Sequence, residues 1–210
     1  MGDFMIRLGI LGVDSSHFDV FGDYFAQKRS MFQVSSVWGE NLVQARDKIS
    51  KFTPGAALYH SADEAVDHSD AVLVIPRFPE QHPQLASLAI RAGKRVYIDK
   101  PIGRSISDFT KELQEPSLRN LWMSFSACRF YDEVQSIQSK TASVTEIVGP
   151  FECNDLGDDI RFRDISFYGI HSIEMLLEIA QTIHFEKTGI KSIENGLRLE
   201  LYARERLFAV

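Results

Sequence analysis

The sequence is poor in the features that mark several large classes of protein. It has only two cysteines, Cys128 and Cys153, and they lack the close spacing that disulfide-rich and zinc-binding domains use. No apolar run approaches the roughly 20 residues that cross a bilayer. Asp3 comes too early for a secretory signal peptide. We therefore expect a cytoplasmic protein with no structural metal and no membrane partner.

An excess of positive charge is also missing. The chain has 23 Lys and Arg residues against 29 Asp and Glu residues, and its formal net charge is −6. Binding to nucleic acid phosphates needs a basic surface, so we exclude nucleic acid as a partner. The apolar and charged fractions are those of an ordinary globular protein, and the length suits one large domain or two small ones.

The first part of the chain alternates between short apolar runs and amphipathic stretches. The apolar runs predict strands over 4–11, 32–38, 56–60, 70–76, 95–99 and 120–127. The amphipathic stretches predict helices over 16–27, 42–52, 61–68, 82–93 and 105–115. Such alternation indicates parallel βαβ units. The predicted fold class is α/β, with a doubly wound parallel sheet in an N-terminal domain over 1–125.

The pattern changes after residue 126. Helices are predicted over 129–140 and 164–181. The C-terminal stretch 195–210 alternates leucines with polar residues, which is typical of a half-buried antiparallel strand. We therefore predict a second, shorter α+β domain over 126–210.

The segment GILGVDSSH, residues 9–17, departs from the phosphate-binding loop G-x-G-x-x-G. Gly12 can make the turn, but Asp14 stands where a second glycine would let the backbone approach a pyrophosphate. An unpaired carboxylate there would repel phosphate. Asp14 or Ser16 can instead cap the following helix, whose first N–H groups can still bind an anion. The candidate cofactor-binding residues here are Gly9, Gly12, Val13, Asp14, Ser15, Ser16 and His17.

The end of the second predicted strand normally carries an acidic residue that binds the adenosine ribose. Gly39 stands at that position, and Glu40 follows it. Glu40 can serve if the register shifts by one residue, or it can be a solvated loop glutamate. Arg46, within the next predicted helix, is the first basic residue after this strand. A 2′-phosphate prefers an arginine close to the strand end, and Arg46 lies further on, within the helix. We therefore expect NAD or NADP as the cofactor, with NAD preferred.

The segment AGKRVYIDKPI, residues 92–102, places Lys100 just after a predicted strand. Open α/β sheets bind their ligands at this end of their strands. Lys100 can hydrogen-bond a substrate hydroxyl or take part in proton transfer, and the alternative is a surface lysine beside a turn. Asp99 and Pro101 flank it, and Pro76 ends the preceding strand. We count all three as cofactor-site candidates.

Three segments, taken in order, resemble the Gfo/Idh/MocA family of NAD(P)-dependent oxidoreductases. They are IRLGILGVDSSH, HPQLASLAIRAGKRVYIDKP and MSFSACRF, and the likeness covers about residues 5–180. The Glu-Lys-Pro motif of the family corresponds to Asp99-Lys100-Pro101. A branch of the family also carries G-x-D-[ST]-S-H in its glycine loop and Y-G-I-H in its second domain. The resemblance implies a Rossmann domain followed by a C-terminal α/β domain with an open sheet.

The resemblance also implies roles for individual residues. Lys100 would contact the nicotinamide ribose and the substrate. His171, in the Tyr168-Gly169-Ile170-His171 motif, would be the catalytic histidine of the substrate site. Tyr168 is placed near the substrate by the same motif. Arg129 matches a recurrent arginine of the family that faces substrate or stabilises the domain junction.

His171 has two alternative interpretations. It can be a helix-start histidine bonded to backbone, or it can pair with Glu174 on a metal, for which no third ligand is obvious. The family often has an aspartate four residues before this histidine, and Phe167 occupies that position here. A Lys-Asp-His arrangement is therefore not expected.

We expect hydride transfer between a nicotinamide and a small-molecule substrate, namely a sugar, a polyol or a related hydroxy compound. The alternative is a non-catalytic nucleotide- or ligand-binding protein, which Asp14, His17 and Gly39 favour. A scaffold role is a third hypothesis. Family members usually continue further, and a shortened second domain would expose a sheet edge and an apolar face. We therefore expect a homodimer through the second domain.

Overall fold

The computed structural model describes residues 5–27, 31–137, 143–149, 165–194, 196–203 and 205–210. The chain divides into two compact units, one ending at Ser124 and the other beginning at Phe125. Cys153 and residues 138–140 of the helix predicted over 129–140 lie outside the described residues.

The first unit is built on a six-stranded sheet in which every pairing is parallel. Its strands are β1 (Ile6–Leu11), β2 (Phe32–Trp38), β3 (Ala57–Leu58), β4 (Ala71–Val74), β5 (Arg95–Ile98) and β6 (Trp122–Met123). Their order across the sheet is β3-β2-β1-β4-β5-β6. This is the order of a dinucleotide-binding Rossmann sheet, and it confirms the predicted doubly wound fold.

Helices cover both faces of this sheet. They are α1 (His17–Gln27), α2 (Leu42–Phe52), α3 (Ala62–Asp67), α4 (His82–Arg91) and α5 (Lys111–Gln114). Successive side chains of a strand point to opposite faces. Ile10 accordingly packs in one core cluster with Phe18 and Phe52, whereas Leu11 packs in the other with Ala86. Because β1 is buried on both faces, its sequence is a continuous apolar run.

The strand order creates a crevice beside β1. β1 pairs with β2 on one side and with β4 on the other, so the connections that leave these strands run in opposite directions. The loops that follow β1 and β4 diverge at the carboxyl edge of the sheet. Ligands of open α/β sheets bind at such a point.

The predicted helix over 105–115 is wrong in its first part. Ser105 and Asp108 form a reciprocal capping box around a short 3₁₀ turn, Ile106–Asp108, and Phe109 is extended. Thr110 then starts α5, and its hydroxyl lies 2.5 Å from that of Ser87. Serine, aspartate and threonine favour such local caps over a continuous helix.

The second unit packs helices on a four-stranded mixed sheet. Its elements are α6 (Asp132–Ile137), β7 (Val144–Glu146), α7 (Ile165–Ala180), β8 (Lys187–Ile193), β9 (Gly196–Ala203) and β10 (Arg206–Ala209). The sheet order is β7-β10-β9-β8, with β9 antiparallel to both neighbours and β7 parallel to β10. Leu176, Ile179, Leu201 and Phe208 form its core.

Two predictions for the second unit are corrected. The single strand over 195–210 is a hairpin of β9 and β10, and it turns near Glu205, which has a φ of 62°. The helix over 129–140 begins only at Asp132, since Ser126 caps a separate 3₁₀ turn, Ala127–Phe130, and Tyr131 is extended. None of the described helices combines the length and apolarity that crossing a bilayer requires.

Candidate functional site

A pocket of about 190 Å³ lies at the crevice beside β1. Six of the residues predicted to bind a cofactor line it, namely Gly12, Asp14, Ser15, Ser16, Glu40 and Pro76. Sequence reasoning missed five other lining residues, namely Trp38, Gln44, Arg77, Phe78 and Gln81. Trp38 is the last residue of β2, and Arg77 and Phe78 follow Pro76 after β4. Their positions at strand ends are the sequence signal that could have identified them. Gly9 and Val13 do not line the pocket, because both lie in the packing of the sheet.

Gly12 is required by the contact between the loops that follow β1 and β4. Its φ is +93°, and a Cβ there would lie 2.3 Å from the backbone nitrogen of Pro76. The Gly12 N–H donates to the carbonyl oxygen of Trp38 at 2.8 Å. Only glycine tolerates both this backbone conformation and this contact. The tight turn that the first glycine of a phosphate-binding loop makes is therefore retained.

Asp14 joins the glycine loop to the loop that follows β2. Its Oδ2 accepts a hydrogen bond from the Asn41 N–H at 2.9 Å, at the start of α2. Asn41 is the N-cap residue of α2, and the positive end of a helix dipole stabilises a carboxylate. Asp14 therefore bonds the start of α2 rather than capping α1, and its carboxylate is not unpaired.

The position of Asp14 also explains Gly39. A Cβ on Gly39 would lie 2.6 Å from Oδ1 of Asp14. The carboxylate thus occupies the space that a side chain at the end of β2 would need. With Asp14 in this position, glycine is the residue that fits position 39 without displacing the carboxylate.

Glu40 lies on the rim of the pocket and is held there by a neighbour. Nε2 of Gln81 donates to Oε1 of Glu40 at 2.7 Å. Glu40 and Arg77 line the same pocket. The carboxylate of Glu40, one residue beyond the position where the acid is expected from the sequence, therefore lies at the pocket.

His17 and Asp99 form a short contact across the sheet edge. Nδ1 of His17 lies 2.5 Å from Oδ2 of Asp99, and Asp99 is buried. Burial opposes ionisation, but the hydrogen bond and charge of His17, aided by the charge of Lys100, hold the pKa of Asp99 below its ordinary value. His17 occupies the third glycine position of the loop, so its side chain ties α1 to the Asp-Lys-Pro segment.

His82, which sequence reasoning missed, lies beneath the same loops. Its Nδ1 is 2.7 Å from the Pro101 carbonyl oxygen, and its Nε2 is 2.9 Å from the Pro76 carbonyl oxygen. Burial lowers its pKa. Carbonyl oxygens only accept hydrogen bonds, so the neutral ring donates to one of them at a time. His82 thus contacts both the loop after β4 and the residue that follows Lys100, and the Lys100–Pro101 bond is cis.

The second unit contains the other predicted site residues. His171 lies on α7, where its Nδ1 is 2.6 Å from Oγ of Ser126, and the Tyr168 ring lies 6.1 Å from its ring. Arg129 donates from Nε and Nη2 to Oε2 of Glu178 at 3.0 and 2.6 Å. His171 therefore has a side-chain partner rather than only backbone partners. No group of three or more possible metal-ligating side chains occurs among the described residues.

The fold and the crevice are those of a dinucleotide-binding domain, and comparison with known families places the chain in an oxidoreductase family. The model of the Gfo/Idh/MocA oxidoreductase family, which has an NAD-binding Rossmann fold, matches residues 6–116. This match spans just over half of the chain. The chain belongs to this family.

Individual relatives are distant. An uncharacterized oxidoreductase of Schizosaccharomyces pombe is 23% identical over 128 residues, which are 60% of this chain and 35% of that protein. The chain thus spans about a third of that relative. The scyllo-inositol dehydrogenase of Lactobacillus casei matches with a TM-score of 0.78 at 14% identity, over 100% of this chain and 69% of that chain.

A second structure is that of the myo-inositol dehydrogenase of the same organism in complex with NAD(H) and myo-inositol. It has a TM-score of 0.72 and 14% identity, and the match covers 99% of this chain and 67% of that chain. At this level of identity the likeness establishes the fold.

The contact between Asp14 and Gly39 predicts an energetic coupling. Gly39→Ala should lower the free energy of unfolding by about 1–3 kcal/mol, the usual cost of overpacking. The double variant D14A/G39A should be more stable than the sum of the single effects indicates, because the clash disappears with the carboxylate. Urea denaturation of the four proteins measures this coupling.

Gly93→Ala is the control for this cycle. It is destabilising in its own right because Gly93 has a φ of +69°, but a Cβ there meets no atom within 4 Å and so does not touch Asp14. Its effect should add to that of D14A. Additive effects of D14A and G39A would contradict the contact.

The pairing of Asp99 predicts a pH-dependent stability. Asp99→Asn should lower the free energy of unfolding by about 1.5–3 kcal/mol at pH 7, the net value of a hydrogen bond to a charged group. Because the folded pKa is lowered, the stabilisation is present above the unfolded pKa of about 3.9. It is lost as pH falls through the folded pKa.

Urea denaturation from pH 7 down to pH 3 should therefore show the wild type and D99N converging at the acid end. Asp23→Asn, a change at an exposed residue of α1, should stay within about 0.5 kcal/mol of the wild type. A gap between wild type and D99N that stays constant with pH would be inconsistent with an ionised, paired Asp99.

Proposed function

We propose that the protein is an oxidoreductase that transfers a hydride between NAD(H) and a sugar, a polyol or a related hydroxy compound. The observation that carries this proposal is the pocket beside β1, at the switch point of a β3-β2-β1-β4-β5-β6 sheet. Membership of the Gfo/Idh/MocA family supports it.

The residues around the pocket fit a dinucleotide. The Gly12 turn brings the backbone close to Pro76, and Ser15 and Ser16 lead into α1. The first N–H groups of a helix lack intrahelical acceptors and bind phosphate. When bound, the nicotinamide supplies or accepts the hydride.

NAD is preferred over NADP in this proposal because of Glu40. A carboxylate at the end of β2 accepts hydrogen bonds from a ribose 2′-hydroxyl and repels a 2′-phosphate. The contact from Gln81 orders the Glu40 side chain. Arg77 on the same pocket is the residue that would favour NADP.

Two side chains carry the proposed chemistry. Lys100 follows β5 and is half-buried, and we assign it to the nicotinamide ribose and the substrate hydroxyl. His171 is assigned to proton transfer, for which a group that titrates near neutrality is suited. Tyr168 remains a proposed substrate contact. Arg129 pairs with Glu178, which favours a supporting role over direct contact with substrate.

A non-catalytic nucleotide- or ligand-binding protein is the second candidate. Two of the three glycine positions of the loop hold Asp14 and His17, and both side chains are engaged by neighbours. This exchange of glycines for bonded side chains stiffens the loop around the pocket. Fold alone does not decide between binding and catalysis.

Titration with NADH and NADPH, followed by nicotinamide fluorescence, tests the proposal first. We expect saturable binding with a Kd in the micromolar range for NADH and weaker binding for NADPH. Lys100→Ala should still bind NADH, more weakly because one ribose contact is lost, but should lower turnover of the best substrate from a sugar and polyol screen by about 100-fold or more. Lys111→Ala, at an exposed residue of α5, is the matched control and should leave both unchanged.

Two outcomes would contradict this proposal. Failure to bind either dinucleotide, reduced or oxidised, would favour another ligand. Unchanged turnover in K100A would remove Lys100 from the reaction.

We also propose that the protein forms a homodimer through the second unit. Within the described part of the chain, β8 pairs along one side only. Ile190, Ile193 and Leu197 on β8 and β9 are 71%, 54% and 42% exposed. Exposed apolar patches beside an open edge favour association.

Sedimentation velocity over a range of concentrations should detect this dimer. Ile190→Asp should shift the protein toward monomer, whereas Val20→Asp, at a residue of α1 that is 74% exposed, should not. A wild type that stays monomeric at every concentration would contradict the proposal.

A further inference from the structure

One polar stripe of α7 faces the turn Ala127–Phe130. It consists of His171, Glu174 and Glu178, which are spaced so that they share one side of a helix. The Ser126 N–H donates to Oε2 of Glu174 at 2.8 Å, and Arg129 donates to Glu178. Hydrogen bonds from Ser126, which precedes the turn, and from Arg129, within it, therefore hold the turn against α7.

These hydrogen bonds place the Ser126 hydroxyl beside the His171 ring. Ser126 is fully buried, and its Oγ lies 2.6 Å from Nδ1 of His171. The same oxygen accepts a hydrogen bond from the Cys128 N–H at 3.2 Å. A hydroxyl has one proton and two lone pairs. With a lone pair already used by Cys128, its proton is available to Nδ1.

The Cys128 thiol is a second possible donor to Nδ1 of His171. Sγ of Cys128 lies 3.7 Å from Nδ1, and a thiol is a weak donor. The Ser126 hydroxyl and the Cys128 thiol can thus each donate to Nδ1. A neutral imidazole whose Nδ1 accepts must carry its proton on Nε2.

We propose that Ser126 is a positioning residue for His171, which orients the ring and holds its neutral form with the proton on Nε2. Its link to catalysis rests on the proposed function, in which His171 meets the substrate oxygen. The Nε2–H of the neutral ring is a donor suited to a carbonyl oxygen. When the ring is protonated, the hydroxyl rotates and accepts from Nδ1–H, so the ring stays oriented in both states.

Phe167, one turn before His171, is a buried apolar residue, and its side chain offers no polar group to the ring. A carboxylate bonded to Nδ1 would only accept and would fix the proton on that nitrogen. The Ser126 hydroxyl instead supports either protonation state.

Long-range proton–nitrogen NMR of the ¹⁵N-labelled full chain tests the contact without any substrate. His171 is assigned by the signal that His171→Asn removes. At a pH where the ring is neutral, Nδ1 should be the unprotonated nitrogen and should show the shift of a hydrogen-bond acceptor. Ser126→Ala should move this resonance toward that of an unbonded nitrogen, and Ser126→Thr should keep it in place. Cys128→Ala should have a small effect.

Three spectral outcomes would overturn the proposal. They are a proton on Nδ1 in the neutral wild type, an Nδ1 resonance that S126A leaves unchanged, and a shift that follows C128A rather than S126A. The first result is read from the wild-type spectrum once His171→Asn has assigned the signal, so it does not depend on the folding of a variant at Ser126 or Cys128.

Kinetics test the consequence for turnover. S126A should lower kcat about tenfold, less than the roughly 100-fold that general acid–base catalysis contributes at least, with KM for NADH unchanged and kcat restored by S126T. An unchanged kcat in S126A would overturn the catalytic link. If the wild type turns over no substrate, the proposed function fails, whereas the spectra still decide the contact between Ser126 and His171.

Discussion

The approach of the glycine loop to the loop after β4 is the constraint on which the first unit depends. A strand buried on both faces ends at Gly12, where the backbone turns within contact distance of Pro76. No side chain fits between the two loops, so their spacing is set by the backbone itself. The pocket beside β1 has its shape because these loops touch and then diverge.

Hydrogen-bonding side chains occupy positions around this contact where glycines are usual. Where an ordinary loop has glycines, Asp14 reaches the Asn41 N–H and His17 reaches Asp99. His82 adds a link beneath them. In an ordinary glycine loop, the absence of side chains lets the backbone approach the ligand. In this loop, the side chains of Asp14 and His17 instead bond residues that follow β2 and β5. The residues at the carboxyl edge of the sheet are therefore bonded to one another through these side chains.

Sequence patterns predicted most of the first unit because apolar runs and turn residues there agree with the final packing. They also located Gly12, Glu40 and Pro76 on the pocket. They failed where a partner is distant in sequence, since nothing near Asp14 indicates Asn41 and nothing near His171 indicates Ser126. The 105–115 helix and the β9–β10 hairpin were misread because local capping and a single positive φ decided them.

The packing of Asp14 on Gly39 restricts how these two positions can change during evolution. A chain that keeps Asp14 in this position crowds any side chain at the end of β2. Changes at positions 14 and 39 are therefore coupled, and a chain with the usual acid at that strand end is expected to lack an aspartate in the loop. Glu40, one residue further on, supplies a carboxylate at the pocket without a side chain at position 39.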